Sequence, residues 1–495
     1  MTDPVRLDRL APAAGELLVR LDGDPSTVIT GVAYDSRAVG PGDLFFCVPG
    51  AVSDGHEWAA AAAAAGASAL CVERPTRTGL PEIVVSDARR AMGRVGAEAM
   101  GRPADSLTLV GITGTNGKTT TAFMVEEILA ADGRTTGLIG TIETRVAGRS
   151  RAGVRTTPES LDLHLLFKEM VDAGVDSVAM EVTSHALALH RVEGVRFASA
   201  AFTNLSQDHL DFHSDMEDYF EAKRSLFTPE RLERGATNID DPYGRKLMET
   251  SFVPVIGFGT GPAADVRATG VTLGPSSTEL TIVTPAGDFP VHLKLAGHFN
   301  VSNALAAAAA SIQAGIAPEA IRSGLETLTA VPGRFESVDQ GQPFSVLVDY
   351  AHTPDSLDNV LRAARPLARA GHGRLICLFG CGGDRDRGKR PLMGAVSARL
   401  ADYVIVTSDN PRSEDPDAII GEILEGVLAE RPNGPDIVTA DRAEAIRAGL
   451  EIARAGDVFV IAGKGHEQGQ EFADRTIEFD DRSVARRNLV ELGWG

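Results

Sequence analysis

The run Gly111-Ile112-Thr113-Gly114-Thr115-Asn116-Gly117-Lys118-Thr119-Thr120 holds the clearest chemistry in this chain of 495 residues. An apolar stretch, 107–112, precedes it and helix-forming residues follow. Glycines let backbone N–H groups close around a phosphate, and a helix N-terminus adds positive potential. Lys118 brings a neutralising charge and Thr119 a hydroxyl that can ligate magnesium. The segment departs from the full phosphate-loop pattern at Ile112, which stands where the first glycine belongs. The plainer reading is a tight strand-to-helix turn with a chance lysine; glycine, lysine and hydroxyls all falling in place speak against it.

Other residues gather after further strand candidates. Glu181 closes an apolar run at 177–182, where a carboxylate can hold magnesium directly or through water, or simply cap the next helix. The stretch 204–213 packs Asp208, His209, Asp211 and His213 together. That spacing fits a metal site or a solvated loop equally; an implied nucleotide favours magnesium over zinc. Lys223 lies in 219–227, which reads as an ordinary amphipathic helix with a surface lysine.

Toward the C-terminus come Asp349-Tyr350-Ala351-His352 and the glycine- and arginine-rich run 380–391, which ends in Arg390-Pro391. Asp409-Asn410-Pro411-Arg412 and Gly463-Lys464-Gly465-His466-Glu467 follow. The last three loops each follow an apolar run, at 375–379, 403–407 and 458–462. In a parallel sheet such loops meet in one crevice beyond the strands' carboxyl ends. Arginine beside glycine there suits a carboxylate, gripped by two parallel hydrogen bonds.

The elements that must position these residues alternate strand and helix, so the fold class is α/β with parallel sheets. Strands are expected at 69–72, 82–85, 177–182 and 197–202, and helices at 59–65, 122–131 (amphipathic) and 304–314. Length alone indicates about three domains at roughly 150 residues each. Polar, proline-bearing segments at 102–105 and 331–334 mark the boundaries, giving units at 1–105, 106–332 and 333–495. Hydrophobic residues at 43% and charged residues at 23% exclude wholesale disorder. A net charge of −20 disfavours nucleic-acid or anionic-membrane binding, because both attract basic surfaces. Four cysteines, Cys47, Cys71, Cys377 and Cys381, are too few and too scattered for a disulfide scaffold, and Cys377 and Cys381 read as reduced, partly buried thiols. With no signal-peptide core or long apolar run, the expected location is the cytoplasm.

Taken in order, these motifs resemble the Mur ligases, the ATP-dependent amino-acid-adding enzymes of peptidoglycan precursor synthesis. They run from Asp35-Ser36-Arg37 to Gly463–Glu467. Between those ends lie the phosphate loop, Glu181, Asn204…Asp208-His209 and Ala222-Lys223…Leu226-Phe227. Gly297-His298-Phe299-Asn300…Asn303, Gly333-Arg334-Phe335-Glu336 and Asp349–His352 complete the series. The loop Asp409–Arg412 resembles that of members which add meso-diaminopimelate to UDP-N-acetylmuramoyl-L-alanyl-D-glutamate. The resemblance implies an N-terminal uridine-nucleotide-binding α/β domain, a central ATPase domain with a parallel sheet, and a C-terminal Rossmann-like domain that takes the amino acid. It implies a monomer.

By the same resemblance, Gly114, Thr115, Asn116, Gly117, Lys118, Thr119 and Thr120 hold the ATP phosphates. Asn300, Asn303, Arg334 and Asp349 bind ATP across the domain junction. Thr119, Glu181, His209 and Lys223 surround magnesium, with Lys223 carried as a carbamate formed from carbon dioxide. Lys118, Lys223, Glu181 and His209 are the catalytic group. Ser36, Thr156, Thr157, Thr183 (commonly serine in the family), Ser184 and Arg191 contact the UDP-linked dipeptide. Arg390, Asp409, Asn410, Pro411, Arg412, Gly463 and Glu467 hold diaminopimelate, with Asp409 and Asn410 reading its distal amine. Competing readings are a lysine-adding relative, a folylpolyglutamate synthetase, and a nucleotide-dependent binding protein without turnover.

Overall fold

The computed structural model describes residues 4–50, 53–274 and 277–495. Among these, three sheets carry an α/β architecture. The first orders its strands Leu18–Asp22, Glu82–Val85, Ala69–Val72, Asp43–Phe46, Gly31–Ala33, all parallel except the Leu18–Asp22 edge. The second has eleven strands. At its centre Thr108–Thr113 lies between Ser177–Glu181 and Phe197–Phe202, parallel to both. This places the phosphate loop, Glu181 and the 203–213 segment side by side at the strands' carboxyl ends. In the third sheet Ser345–Asp349, Val458–Ala462, Leu375–Phe379 and Tyr403–Val406 are adjacent and parallel, so their following loops share one edge.

The central strand shows why these sheets are parallel and buried. Leu109 packs into one apolar cluster, while Val110 and Ile112 pack into the cluster on the opposite face. A strand covered on both faces needs apolar side chains at every position. Ile112 is fully buried there, which explains the departure from the phosphate-loop pattern: its position still belongs to the strand, and the loop opens at Gly114.

Two sequence expectations need correction. The helix of the phosphate loop runs Lys118–Ala131 rather than 122–131, and it is not one-sided. It is wedged between the sheet and the helices His298–Gln313 and Pro318–Thr327, so ten of its residues are buried around much of its circumference. The alanines of His298–Gln313 make that close approach possible; Ala304 and Ala306–Ala310 are all fully buried. Cys377 and Cys381 are buried outright rather than partly, as are Cys47 and Cys71, and burial raises the Cys47 and Cys381 thiols to about 12. No helix among the described residues is long and apolar enough to cross a membrane.

Candidate active site

Backbone geometry builds the phosphate loop. Gly114 has φ 145°, and a Cβ there would lie 1.9 Å from Thr203 Oγ1; at Gly117 (φ 84°) it would lie 2.3 Å from Asn303 Oδ1. Neither position admits a side chain. The loop is braced by Asn204, whose carbonyl accepts from Thr115 N (2.9 Å) and whose Oδ1 accepts from Asn116 N (2.9 Å). Lys118 Nζ donates to the carbonyls of Gly114 (3.0 Å) and Thr115 (2.8 Å).

Glu181 is 1% exposed at the tip of its strand. Its carboxylate accepts from Thr119 Oγ1 (3.0 Å), Thr141 N (2.8 Å) and Thr141 Oγ1 (3.1 Å). Lys223, which the sequence pattern alone places on the surface, is 1% exposed instead. Asp215 caps its helix Met216–Arg224, and Tyr219 and Phe220 bury one face, carrying Lys223 inward with them. Lys223 Nζ donates to Gly114 O (2.8 Å) and sits 4.7 Å above the Tyr219 ring. Burial first, and the charge of Lys118 second, hold this amine well below the ordinary lysine range. Burial likewise lowers Lys118, and pushes His209 down to about 3, so His209 is a neutral imidazole.

This donor set fits magnesium under one condition. Thr119 Oγ1 and Glu181 Oε2 form a hydroxyl–carboxylate pair beside a phosphate loop, the kind of partial shell magnesium completes with phosphate oxygens and water. Among the described residues no three carboxylate, histidine or cysteine groups converge to hold a metal unaided. Lys223 cannot join such a shell as an ammonium, which offers no lone pair, and an anionic oxygen-bearing form would suit magnesium better than a neutral amine nitrogen.

The C-terminal unit closes over this site. Arg334 Nη2 donates to Thr119 Oγ1 (3.0 Å), and its guanidinium lies 4.5 Å from the Tyr350 ring centre. Asp349 accepts from Phe335 N and Ala351 N, both at 2.7 Å, and burial raises its pKa. His352 Nε2 and Lys389 Nζ each approach the Asp208 carboxylate to 3.8 Å. Burial opposes ionisation of Asp208, yet these neighbours hold its carboxyl well below the usual range. Asn303 Nδ2 donates to Asn300 Oδ1 (3.1 Å) on the helix behind the loop. Lys118, Thr119, Glu181, Asp208, Asn303, Arg334 and Asp349 line a cavity of about 550 Å³, which extends to Thr156, Thr157, Thr183, His185 and Arg191.

A second group of expected site residues lies in the loops at the edge of the third sheet. Arg412 donates through Nε to Glu471 (2.8 Å) and through Nη1 to Gly383 O (2.8 Å). Its backbone is left-handed (φ 51°), pinned by Arg412 N to Glu471 O at 3.0 Å. His209 (φ 56°) and Phe335 (φ 51°) share that conformation. For such residues it costs about 1–3 kcal/mol and persists only where surrounding bonds over-determine it. Asp409 and Asn410 are nearly buried; at Gly463 a Cβ would meet Asp409 Oδ2 at 2.5 Å. His466, in the 463–467 loop, packs 5.2 Å from Tyr350, which lines the first cavity.

Three family models match the chain: Mur ligase family, catalytic domain, over residues 28–103; Mur ligase middle domain over 112–311; and Mur ligase, glutamate ligase domain, over 333–465. The UDP-N-acetylmuramoyl-L-alanyl-D-glutamate–2,6-diaminopimelate ligase of Streptomyces avermitilis is 49% identical over 474 residues, covering 94% of this chain and 93% of its own. The chain belongs to the Mur ligase family. The enzyme of the same name from Geobacter metallireducens is 46% identical and covers 100% of both chains. A solved structure of a ligase of that name is 32% identical, aligns over 100% of both chains and has a TM-score of 0.70.

As a Mur ligase the protein has the three-domain α/β architecture and an ATP-dependent ligase's phosphate loop. The residues expected to bind phosphate and magnesium converge in the first cavity, apart from Gly114 and Lys223, which bond to each other behind the loop. Of the acidic and histidine residues in 204–213 only Asp208 and His209 line it. His213 is buried against Ser184 (3.0 Å), and Asp211 is exposed. Ser184 is therefore turned toward His213, and Thr183 caps the helix Ser184–Ala188. Ser36 lies apart, half-buried in the turn after Gly31–Ala33. Arg390 is not open to a ligand: it is fully buried, bonded to Glu414 (2.7 Å), Glu422 (2.8 Å) and Gly382 O (3.2 Å). A guanidinium inside such a loop finds carboxylates of its own chain before any ligand.

Sequence reading missed Thr141, Asp208 as an inter-domain contact, and Arg442. Arg442 is fully buried, paired with the equally buried Asp481 (2.7 Å), and donates to the carbonyls of Ser408 (3.2 Å) and Ala462 (3.0 Å). No spacing rule in the sequence marks it, since Asp481 is distant along the chain. Removing one partner leaves the other charge buried and alone, so Arg442→Met should lower unfolding free energy by about 3–5 kcal/mol in a denaturant titration. A loss below about 1 kcal/mol, the scale of an exposed pair, would contradict that burial.

Proposed function

We propose that this Mur ligase adds meso-diaminopimelate to the D-glutamate γ-carboxyl of UDP-N-acetylmuramoyl-L-alanyl-D-glutamate, with ATP as co-substrate. The observation that carries this reading is the nearness of two groups of residues: the phosphate-loop cavity, which Tyr350 lines, and the 463–467 loop, whose His466 packs on Tyr350 and whose Glu467 accepts from Asn410, two residues from Arg412. The names of the full-length relatives support the same substrate.

In the first step the γ-carboxylate attacks the ATP γ-phosphate, giving an acyl phosphate and ADP. In the second the free amine of diaminopimelate attacks the acyl phosphate and phosphate leaves. The protein aligns the reactants and offsets the repulsion between carboxylate and triphosphate. Lys118 and the loop N–H groups hold the phosphates. Arg334, reaching Thr119 from the C-terminal unit, ties nucleotide binding to domain closure and so excludes water from the acyl phosphate. Magnesium, held by Thr119, Glu181, His209 and Lys223 as a carbamate, would spread the charge of the transferring phosphoryl group. Thr156, Thr157 and Arg191 lie where the cavity leaves the phosphate loop and would grip the dipeptide end. Ser36 would meet the uridine nucleotide in the unit 1–105, beside the ATPase unit 106–332 and the amino-acid unit 333–495. The enzyme would work in the cytoplasm as a monomer.

The test is phosphate release with the UDP-dipeptide, ATP and a panel of amino acids. Turnover with meso-diaminopimelate is expected, and preference for lysine would replace this reading with that of the lysine-adding relative. Glu181→Gln keeps the side chain's size but replaces one accepting carboxylate oxygen with an amide nitrogen that neither accepts these hydrogen bonds nor ligates a metal. It should lower kcat by about 10–100-fold at saturating magnesium, the usual scale for a disturbed metal shell, while ADP still binds.

A further inference from the structure

Lys464 belongs to no role described so far, yet its side chain is completely buried between the loops 409–412 and 463–467. Its Nζ donates to Asn410 Oδ1 (2.9 Å) and to Glu467 Oε2 (2.9 Å), and lies 3.9 Å from Asp409 Oδ1. It therefore spans the two loops, 409–412 and 463–467, that the proposed function assigns to the incoming amino acid. We propose that Lys464 is a positioning residue for amino-acid recognition, which ties the two loops together and helps hold the Asn410 amide in the orientation a ligand meets. The inference rests on the proposed function.

The argument turns on donors and acceptors. Asn410 Oδ1 accepts from Lys464 Nζ and from Glu471 N (3.1 Å), which uses both lone pairs. Its Nδ2 donates to Glu467 Oε2 (2.8 Å). Both neighbours of Oδ1 are donors only and Glu467 is an acceptor, so the amide has a single consistent orientation. One Nδ2–H is left unused. Asn410 can thus offer a ligand a donor, for a carboxylate, but no acceptor for an ammonium. This revises the sequence expectation that Asn410 reads the distal amine with Asp409; that task falls to the carboxylates of Asp409 and Glu467. Without the Lys464 ammonium, Asp409 and Glu467 would lose one of their compensating cations and keep Arg442, and the Asn410 amide would be held by Glu471 N and Glu467 alone.

The test compares unmutated protein with Lys464→Met and Lys464→Gln, measuring all three Michaelis constants, kcat and the melting curve. Lys464→Met should raise KM for meso-diaminopimelate about tenfold or more, the scale of a lost charge-assisted hydrogen bond, and leave KM for ATP and for the UDP-dipeptide unchanged. Lys464→Gln, whose amide can still donate to Asn410 and Glu467, should recover part of that loss. An unchanged diaminopimelate KM in Lys464→Met overturns the inference alone. So does an equal rise in all three constants, or loss of cooperative melting in both variants, since either makes Lys464 a general structural residue. No turnover of diaminopimelate by the unmutated protein overturns the proposed function, and the inference with it.

Discussion

Lys223→Ala should nearly abolish amino-acid-dependent ATP turnover while the protein still folds. The amine lies at the back of the phosphate loop, 2.8 Å from Gly114 O and shut off from solvent. Burial and Lys118 keep it neutral far below the pH at which a free lysine loses its proton. A neutral amine is the form that adds carbon dioxide, and the resulting anion supplies the oxygen ligands that magnesium prefers. Alanine removes those oxygens, and short carboxylic acids should partly restore turnover by entering the vacated space. Gly114 O keeps Lys118 as a donor, so the loop retains its shape. Stability gives a second readout. In the non-carbamylated protein the unfolded chain binds a proton at Lys223 that the folded chain does not. Unfolding free energy therefore rises with pH from the depressed folded value up to the ordinary lysine pKa of about 10.4. Lys223→Ala should flatten that rise. Near-normal activity of the alanine variant, or electron density of active protein showing an unmodified lysine in solvent, would falsify the carbamate role.

Arg412→Ala should cut kcat/KM for meso-diaminopimelate far more than it affects ATP or nucleotide binding. Diaminopimelate differs from lysine by a second amino-acid centre with its own carboxylate. Arg412 is prepared for that group: its left-handed backbone is pinned to Glu471 O, and Gly383 O fixes one guanidinium arm. A ligand carboxylate has to compete with the Glu471 side chain, which is half exposed and so gives way at little desolvation cost. Hydrogen bonds to charged groups contribute about 1.5–3 kcal/mol net, so the contact is worth roughly ten- to more than hundred-fold in discrimination. Lysine as substrate would leave the guanidinium without its anion. Arg412→Lys should not restore the rate, because an ammonium cannot make the paired, planar contact. Equal efficiency of the unmutated enzyme with lysine and diaminopimelate would show that this loop does not select.

By itself the sequence determined the fold class, the strand-and-helix alternation and the phosphate loop, because these are local. Glycines at 114 and 117, the lysine and hydroxyls after them, and short apolar runs each declare themselves within a few residues. It also brought the carboxyl-end loops together, since a parallel sheet leaves them no other place. Only the tertiary structure decided what lies inside. Lys223 sits in a helix whose pattern reads as surface, and it is buried because the phosphate loop folds over it from more than a hundred residues away. The helix Lys118–Ala131 looks one-sided in sequence but is covered by two later helices. Arg390 carries the composition of a ligand contact, yet Glu414 and Glu422 claim it first. Arg442 with Asp481, and Lys464 with Asn410, matter through partners that no periodicity connects. Burial and pairing of charge depend on which distant segments meet, and the sequence pattern near each residue does not carry that information.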